Sequence, residues 1–171
     1  YPHKRDSVGK PLPGMQIRID SPDADGVGEI HLTGPMVMTG YIGKEPIDGD
    51  LNTDDIGYVD EDGFVYILNR RKDLIISGGE NIYPKELEDL VYTLPSVKEC
   101  AVVPVSDPKW GQVPALFVAF HDGESMTSDE ILSFMTQSLA KYKIPKYVKI
   151  LPALPRNGTG KIVRNELRLE D

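Results

Sequence analysis

Asn69-Arg70-Arg71-Lys72-Asp73-Leu74-Ile75-Ile76-Ser77-Gly78-Gly79-Glu80-Asn81-Ile82-Tyr83-Pro84 is the stretch at which the chain changes character. Upstream of it, Gly9, Pro11, Pro13, Gly14, Gly26, Gly28, Gly34, Pro35 and Gly40 punctuate the sequence too often for a long helix. Residues 27–32 carry an apolar or small residue at every second place, the period of a half-buried strand. Tyr58-Val59 and the run 64–68 flank Asp60-Glu61-Asp62-Gly63, and Asp-Gly between β-formers signals a hairpin. Residues 1–70 are expected to be nearly all β.

Downstream, Pro84 opens a segment with Leu87, Leu90, Val91 and Leu94 at the spacing of one helix face, and Pro95 ends it. Strand-like runs at 97–105 and 115–120 are separated by a loop at 106–114. Thr127 and Glu130 have capping-box spacing and start a second helix that presents Ile131, Leu132, Met135 and Leu139. A third strand is expected at 147–151, beyond Pro145. The fold class is therefore α+β. A β-rich subdomain, 1–70, precedes a small α/β domain, 71–171, of order α-β-β-α-β, with the boundary within 69–73.

The 171 residues are 40% hydrophobic and 27% charged, enough apolar material for a core. A net charge of −8 argues against a nucleic-acid partner, which calls for a basic face. Anionic small molecules would have to bind at local Arg and Lys clusters. No apolar run approaches the roughly 20 residues of a membrane span, and no signal-peptide pattern is present. The single cysteine, Cys100, lies in an apolar run and reads as a core residue in a reducing, cytoplasmic compartment. His3, His31 and His121 are scattered and suggest no metal site. Ser77 lacks the Gly-x-Ser-x-Gly elbow of a hydrolase. The chain opens on Tyr1-Pro2-His3, so it is expected to be cut from something longer.

Three stretches carry chemistry. Taken alone, Asp54-Asp55 in the stretch Leu51-Asn52-Thr53-Asp54-Asp55 is a surface turn, and Arg70-Arg71-Lys72 a solvated basic turn. Gly78-Gly79 alone is a tight bend, and Gly158-Thr159-Gly160-Lys161 a basic tail. The last is no phosphate-binding P-loop, because Pro155 and Ile162 stand where that motif needs Gly and Ser or Thr.

In this order and spacing, the stretches resemble the adenylate-forming superfamily: acyl- and aryl-CoA synthetases, luciferases and peptide-synthetase adenylation domains. The resemblance runs from Gly28 to Lys161, and Ser-Gly-Gly-Glu-Asn-Ile-Tyr-Pro is similar to the CoA ligases within it. It implies that Asp55 and Arg70 bind the ribose of ATP, a carboxylate and a guanidinium fork being suited to hydroxyls. Leu51 and Asp54 depart from the family, which has an aromatic and a glycine there. Lys72 falls on the hinge position. Ser77, Gly78 and Gly79 fall where the pantetheine arm of CoA passes. Trp110, in the loop Asp107-Pro108-Lys109-Trp110-Gly111-Gln112-Val113-Pro114, either caps the small domain's core or packs beside that arm. Lys161 falls on the lysine that contacts the acid carboxylate and the ATP α-phosphate. Lys141, Lys143, Lys146 and Lys149 read as a solvated charged face.

The resemblance implies an AMP-forming acid–CoA ligase that uses ATP, Mg2+, coenzyme A and a small carboxylic acid, with no metal ligand in this portion. Among such ligases the wording is most similar to the 2-succinylbenzoate–CoA branch of menaquinone synthesis. Fatty-acyl-CoA synthetases, or a non-catalytic binding module derived from a ligase, are the alternatives. The family's phosphate loop and acid pocket lie upstream of Tyr1, so this portion alone is expected to fold without turning over.

Overall fold

The computed structural model describes Lys4 and residues 6–169. The expected signals at Tyr1-Pro2-His3 lie outside the described residues. The chain divides into two compact units between Lys72 and Asp73.

The first unit is a four-stranded antiparallel meander: β1 (Gln16–Asp20), β2 (Gly28–Thr33), β3 (Leu51–Val59) and β4 (Val65–Arg70), paired in that order. The Asp60–Gly63 turn joins β3 to β4 as the sequence suggests. The Asp60 carboxylate accepts the N–H groups of Asp62 and Phe64 at 3.0 and 2.9 Å, and Gly63 takes a positive φ of 82°. Tyr58 and Tyr66 are directly opposed and stack with ring centroids 4.7 Å apart. The pairing of β3 with β4 shifts register between Ile56 and Gly57. At Gly57 a Cβ would lie 2.0 Å from the Tyr66 carbonyl oxygen, so only glycine lets the bulged strands approach this closely.

The second unit is a five-stranded sheet with two helices. Its elements are β5 (Ile75–Ser77), β6 (Glu80–Ile82), α1 (Pro84–Val91), β7 (Val97–Asp107), β8 (Gly111–Phe120), α2 (Ser128–Met135) and β9 (Tyr147–Ile150). The strand order is β6-β5-β8-β7, with β9 parallel to β8. Alternation along β8 sorts the core. Leu116 and Val118 join Leu87, Val91, Ile131 and Met135 on the helix face. Ala115, Phe117 and Ala119 pack on the other face against Leu154 and Leu167. Covered on both sides, β8 reads as a continuous apolar run. Truncating the fully buried Phe117 to alanine would cost about 3–5 kcal/mol.

Both helices start where expected. Pro84 stands at the head of α1, and Thr127 and Glu130 make a complete capping box on α2. Three expectations need correction. The loop at 106–114 is not a loop: β7 and β8 run through it, leaving a connection of only Pro108, Lys109 and Trp110. Polar Ser106, Asp107 and Gln112 disguised it, although Ser106 pairs with Gln112 and Asp107 with Gly111. Asp54 and Asp55 form no surface turn but belong to β3. The helices are also shorter than their apolar stripes, so Leu94 and Leu139 reach the core from just beyond α1 and α2.

Candidate functional site

In the first unit, strand pairing sets Asp55 of β3 directly opposite Arg70 at the end of β4. Their side chains form an ion pair at 2.8 Å, with Asp55 15% and Arg70 55% exposed. Arg70 also donates to the Thr53 carbonyl at 3.1 Å. Thr53 turns its hydroxyl to the Ile30 carbonyl at 2.8 Å and accepts the Asp55 N–H at 3.1 Å. Asp54, between them, has a φ of +58°, the left-handed conformation that glycine adopts most readily. Beside this pair an open pocket of about 450 Å³ is lined by Asp54, Arg70, Arg71 and Lys72. One carboxylate and three cations there can bind hydroxyls and anionic oxygens.

In the second unit, Gly78 and Gly79 form the two-residue turn between β5 and β6, with φ of +60° and +91°. This turn is joined to the β7–β8 connection. The Gly78 N–H donates to the Trp110 carbonyl at 2.8 Å, and the Ile76 N–H donates to the Gln112 side chain at 3.1 Å. The Trp110 indole lies over Gly78, yet the residue remains 47% exposed.

Asp107 builds the connection. One carboxylate oxygen accepts the N–H groups of Lys109 and Trp110, both at 2.9 Å, and the other pairs with Lys146 at 2.6 Å. The Lys146 ammonium and these two N–H groups hold the carboxyl down at about 2. Lys143 pairs with Glu86 at 2.7 Å, and Lys149 donates to the Arg168 carbonyl at 3.2 Å. Of the lysines expected on a solvated face, Lys141 and Lys146 are exposed, and Lys143, Lys146 and Lys149 also make these contacts.

Lys161 lies at the end of a turn closed by the Arg156–Ile162 bridge. The Asn157 side-chain oxygen accepts the N–H groups of Thr159 and Lys161 and the Thr159 hydroxyl, at 2.8–3.1 Å. Arg156 fastens the turn to Glu99, itself buried in β7, and also donates to the Gly160 carbonyl. Burial pushes Glu99 up, but the Leu154 N–H and the Arg156 guanidinium outweigh it and keep the carboxylate below its ordinary range. Two residues past the turn, Arg164 grips Glu88 of α1 with both guanidinium nitrogens, at 2.6 and 3.0 Å. Its Nε lies 3.9 Å from Asp73, next to Lys72. The Lys161 side chain is exposed and, among the described residues, makes no ion pair. Asn157 and Arg156 thus brace the turn that carries the exposed Lys161 side chain.

Glu88, Glu99 and Asp107 escaped the reading of the sequence. The usable signal was a carboxylate inside an otherwise apolar strand or helix face, which requires a buried partner. No group of His, Cys, Asp and Glu among the described residues could hold a metal ion.

Residues 86–161 match the AMP-binding enzyme C-terminal domain family. The match lies within the second unit. Along 168 residues, 98% of this chain, it is 54% identical to 2-succinylbenzoate–CoA ligase of Lactococcus lactis subsp. lactis (strain IL1403). Its fold matches o-succinylbenzoate CoA synthetase from Bacillus subtilis in complex with the acyl-adenylate intermediate OSB-AMP, with a TM-score of 0.86 and 41% identity over 99% of this chain. The same Bacillus enzyme in complex with ATP and magnesium ion matches at 0.83 and 40% over 95%. The chain spans 36% of the length of the Lactococcus relative and 36% of the OSB-AMP complex chain. It thus corresponds to about a third of those proteins, and the stretch that matches the AMP-binding enzyme C-terminal domain family falls in its second unit. No helix among the described residues is long and apolar enough to cross a membrane.

Proposed function

We propose that this segment is the C-terminal part of an AMP-forming 2-succinylbenzoate–CoA ligase, in which it supplies the ribose clamp, the hinge, the catalytic lysine and part of the CoA passage. The observation that carries the reading is Lys161, exposed and without an ion pair among the described residues, on a turn anchored to the buried Glu99. In the first half-reaction, a carboxylate oxygen of the acid attacks the α-phosphorus of ATP and pyrophosphate leaves. Lys161 offsets the charge of the two oxyanions brought together, and Asp55 and Arg70 hold the ribose hydroxyls. In the second, the CoA thiol, giving up its proton, attacks the acyl carbon and AMP leaves. Gly78 and Gly79 let the pantetheine arm pass close to the backbone, with the Trp110 indole alongside. Rotation at Lys72 exchanges the two arrangements, since lysine and thiol would otherwise compete for one face of the acyl-adenylate. Magnesium, when bound, neutralises phosphate charge. No described cluster of this segment offers it ligands.

The test is a pair of half-reactions in the full-length enzyme. Lys161→Ala should slow adenylation, followed as acid-dependent pyrophosphate exchange, by roughly 10²–10³-fold. Thioester formation from a supplied acyl-adenylate should be spared. Equal loss in both would overturn the division of labour. A panel of carboxylic acids with ATP and CoA would then test the acid itself, 2-succinylbenzoate being expected to outpace fatty acids.

A further inference from the structure

Asp54 holds a left-handed backbone, which a residue with a Cβ adopts at a cost, and such strain persists only where the surroundings fix it. Here a chain of side chains does so. The Asp54 N–H donates to the Asn52 side-chain oxygen at 2.8 Å. The Asn52 amide in turn donates to Glu29 of β2 at 2.8 Å. The same Glu29 oxygen takes Arg71 at 2.6 Å. The next residue, Asp55, is thereby presented to Arg70. This arrangement lies within one unit and involves residues that the proposed reaction leaves unused.

We propose that Asn52, held by Glu29 and Arg71, is a positioning residue that locks the left-handed backbone at Asp54 within β3 and so aims the Asp55 carboxylate at the nucleotide ribose. The proposal rests on the ribose-binding reading of Asp55. The lock substitutes for the conformational freedom of glycine: an asparagine carbonyl holds the backbone that glycine would adopt unaided. It also ties the aim of Asp55 to Arg71, the neighbour of Lys72.

The experiment measures, in the full-length enzyme, the ratio of kcat/KM for ATP to that for 2′-deoxy-ATP in the adenylation half-reaction. Asp55→Asn should collapse the preference for ATP. If it does not, the ribose reading itself fails. Given that collapse, Asn52→Ala should lower the ratio roughly three- to tenfold, the size of one hydrogen bond, mostly through KM. Adding Asp54→Gly to Asn52→Ala should restore most of the loss, because glycine takes that backbone without help. The exposed Arg71→Met, which leaves the sheet intact, should lower the ratio in the same direction by a smaller factor. An Asn52→Ala ratio within twofold of the parent overturns the proposal, and so does a double variant no better than the single one. Should Asn52→Ala fail to fold, an unchanged ratio in Arg71→Met overturns it instead.

Discussion

The indole of Trp110 occupies the space that a side chain on Gly78 would need: a Cβ there would stand 2.7 Å from the ring. The two residues also share a backbone hydrogen bond, so the glycine turn and the β7–β8 connection are one construction.

Gly78→Ala should therefore be costlier than Gly79→Ala. Both place alanine at a positive φ, about 1–2 kcal/mol, but nothing lies within 4 Å of a Cβ at Gly79. The Gly78 variant must also displace Trp110. Urea unfolding should rank Gly78→Ala below Gly79→Ala, and thioester formation should fall further in the former.

Acid should loosen the same region. Asp107 titrates at about 2 when folded, against 3.8 when unperturbed. The unfolded chain binds that proton first, so the stabilisation is complete above pH 3.8 and disappears as pH falls towards about 2. In Asp107→Asn this part of the pH dependence should be missing. Unfolding midpoints of the two proteins between pH 5 and pH 2 would then converge as the solution becomes more acidic.

Cys100 should be inert. It is buried at 2% exposure, and burial pushes its thiol up to about 12, so almost no thiolate exists at neutral pH. Iodoacetamide at pH 8 should label it only after unfolding. Rapid labelling of the native protein would contradict its place in the core.

Arg164→Ala would leave Glu88 buried without its bidentate partner. A fully buried pair broken this way costs about 3–5 kcal/mol, and roughly 2–3 is expected here, because Arg164 retains 34% exposure. Arg164→Lys should recover only part of this, since an ammonium cannot reproduce the fork. Chemical denaturation of both variants checks the order.

The strands at Gly28–Thr33 and Tyr147–Ile150 and both helix starts were legible in the sequence, because period, proline and capping box are local signals. The five-stranded sheet was only partly so. β5 and β6 have three residues each, too few to show a period. Ser106, Asp107 and Gln112 looked like loop because their polar groups serve pairing and turn-building, which no hydropathy pattern encodes. The partners of Glu88 and Glu99 lie 76 and 57 residues away in sequence. A lone glutamate in an apolar run announces that a partner exists without naming it. The same holds for Asp55 and Arg70, whose opposition depends on the bulge at Leu68 of β4. Likewise, nothing local in Asn52-Thr53-Asp54 declares a left-handed residue.

The mount beneath Lys161 has a kinetic consequence. With Asn157 closing the turn and Glu99 gripping Arg156, the backbone around the lysine is ordered when the domain folds rather than when substrate arrives. In the proposed role, what would remain to restrain is the torsional freedom of the lysine side chain, about 2 kcal/mol. On the proposed alternation at Lys72, the ammonium would leave together with the turn that Asn157 and Arg156 brace, without that turn having to unravel.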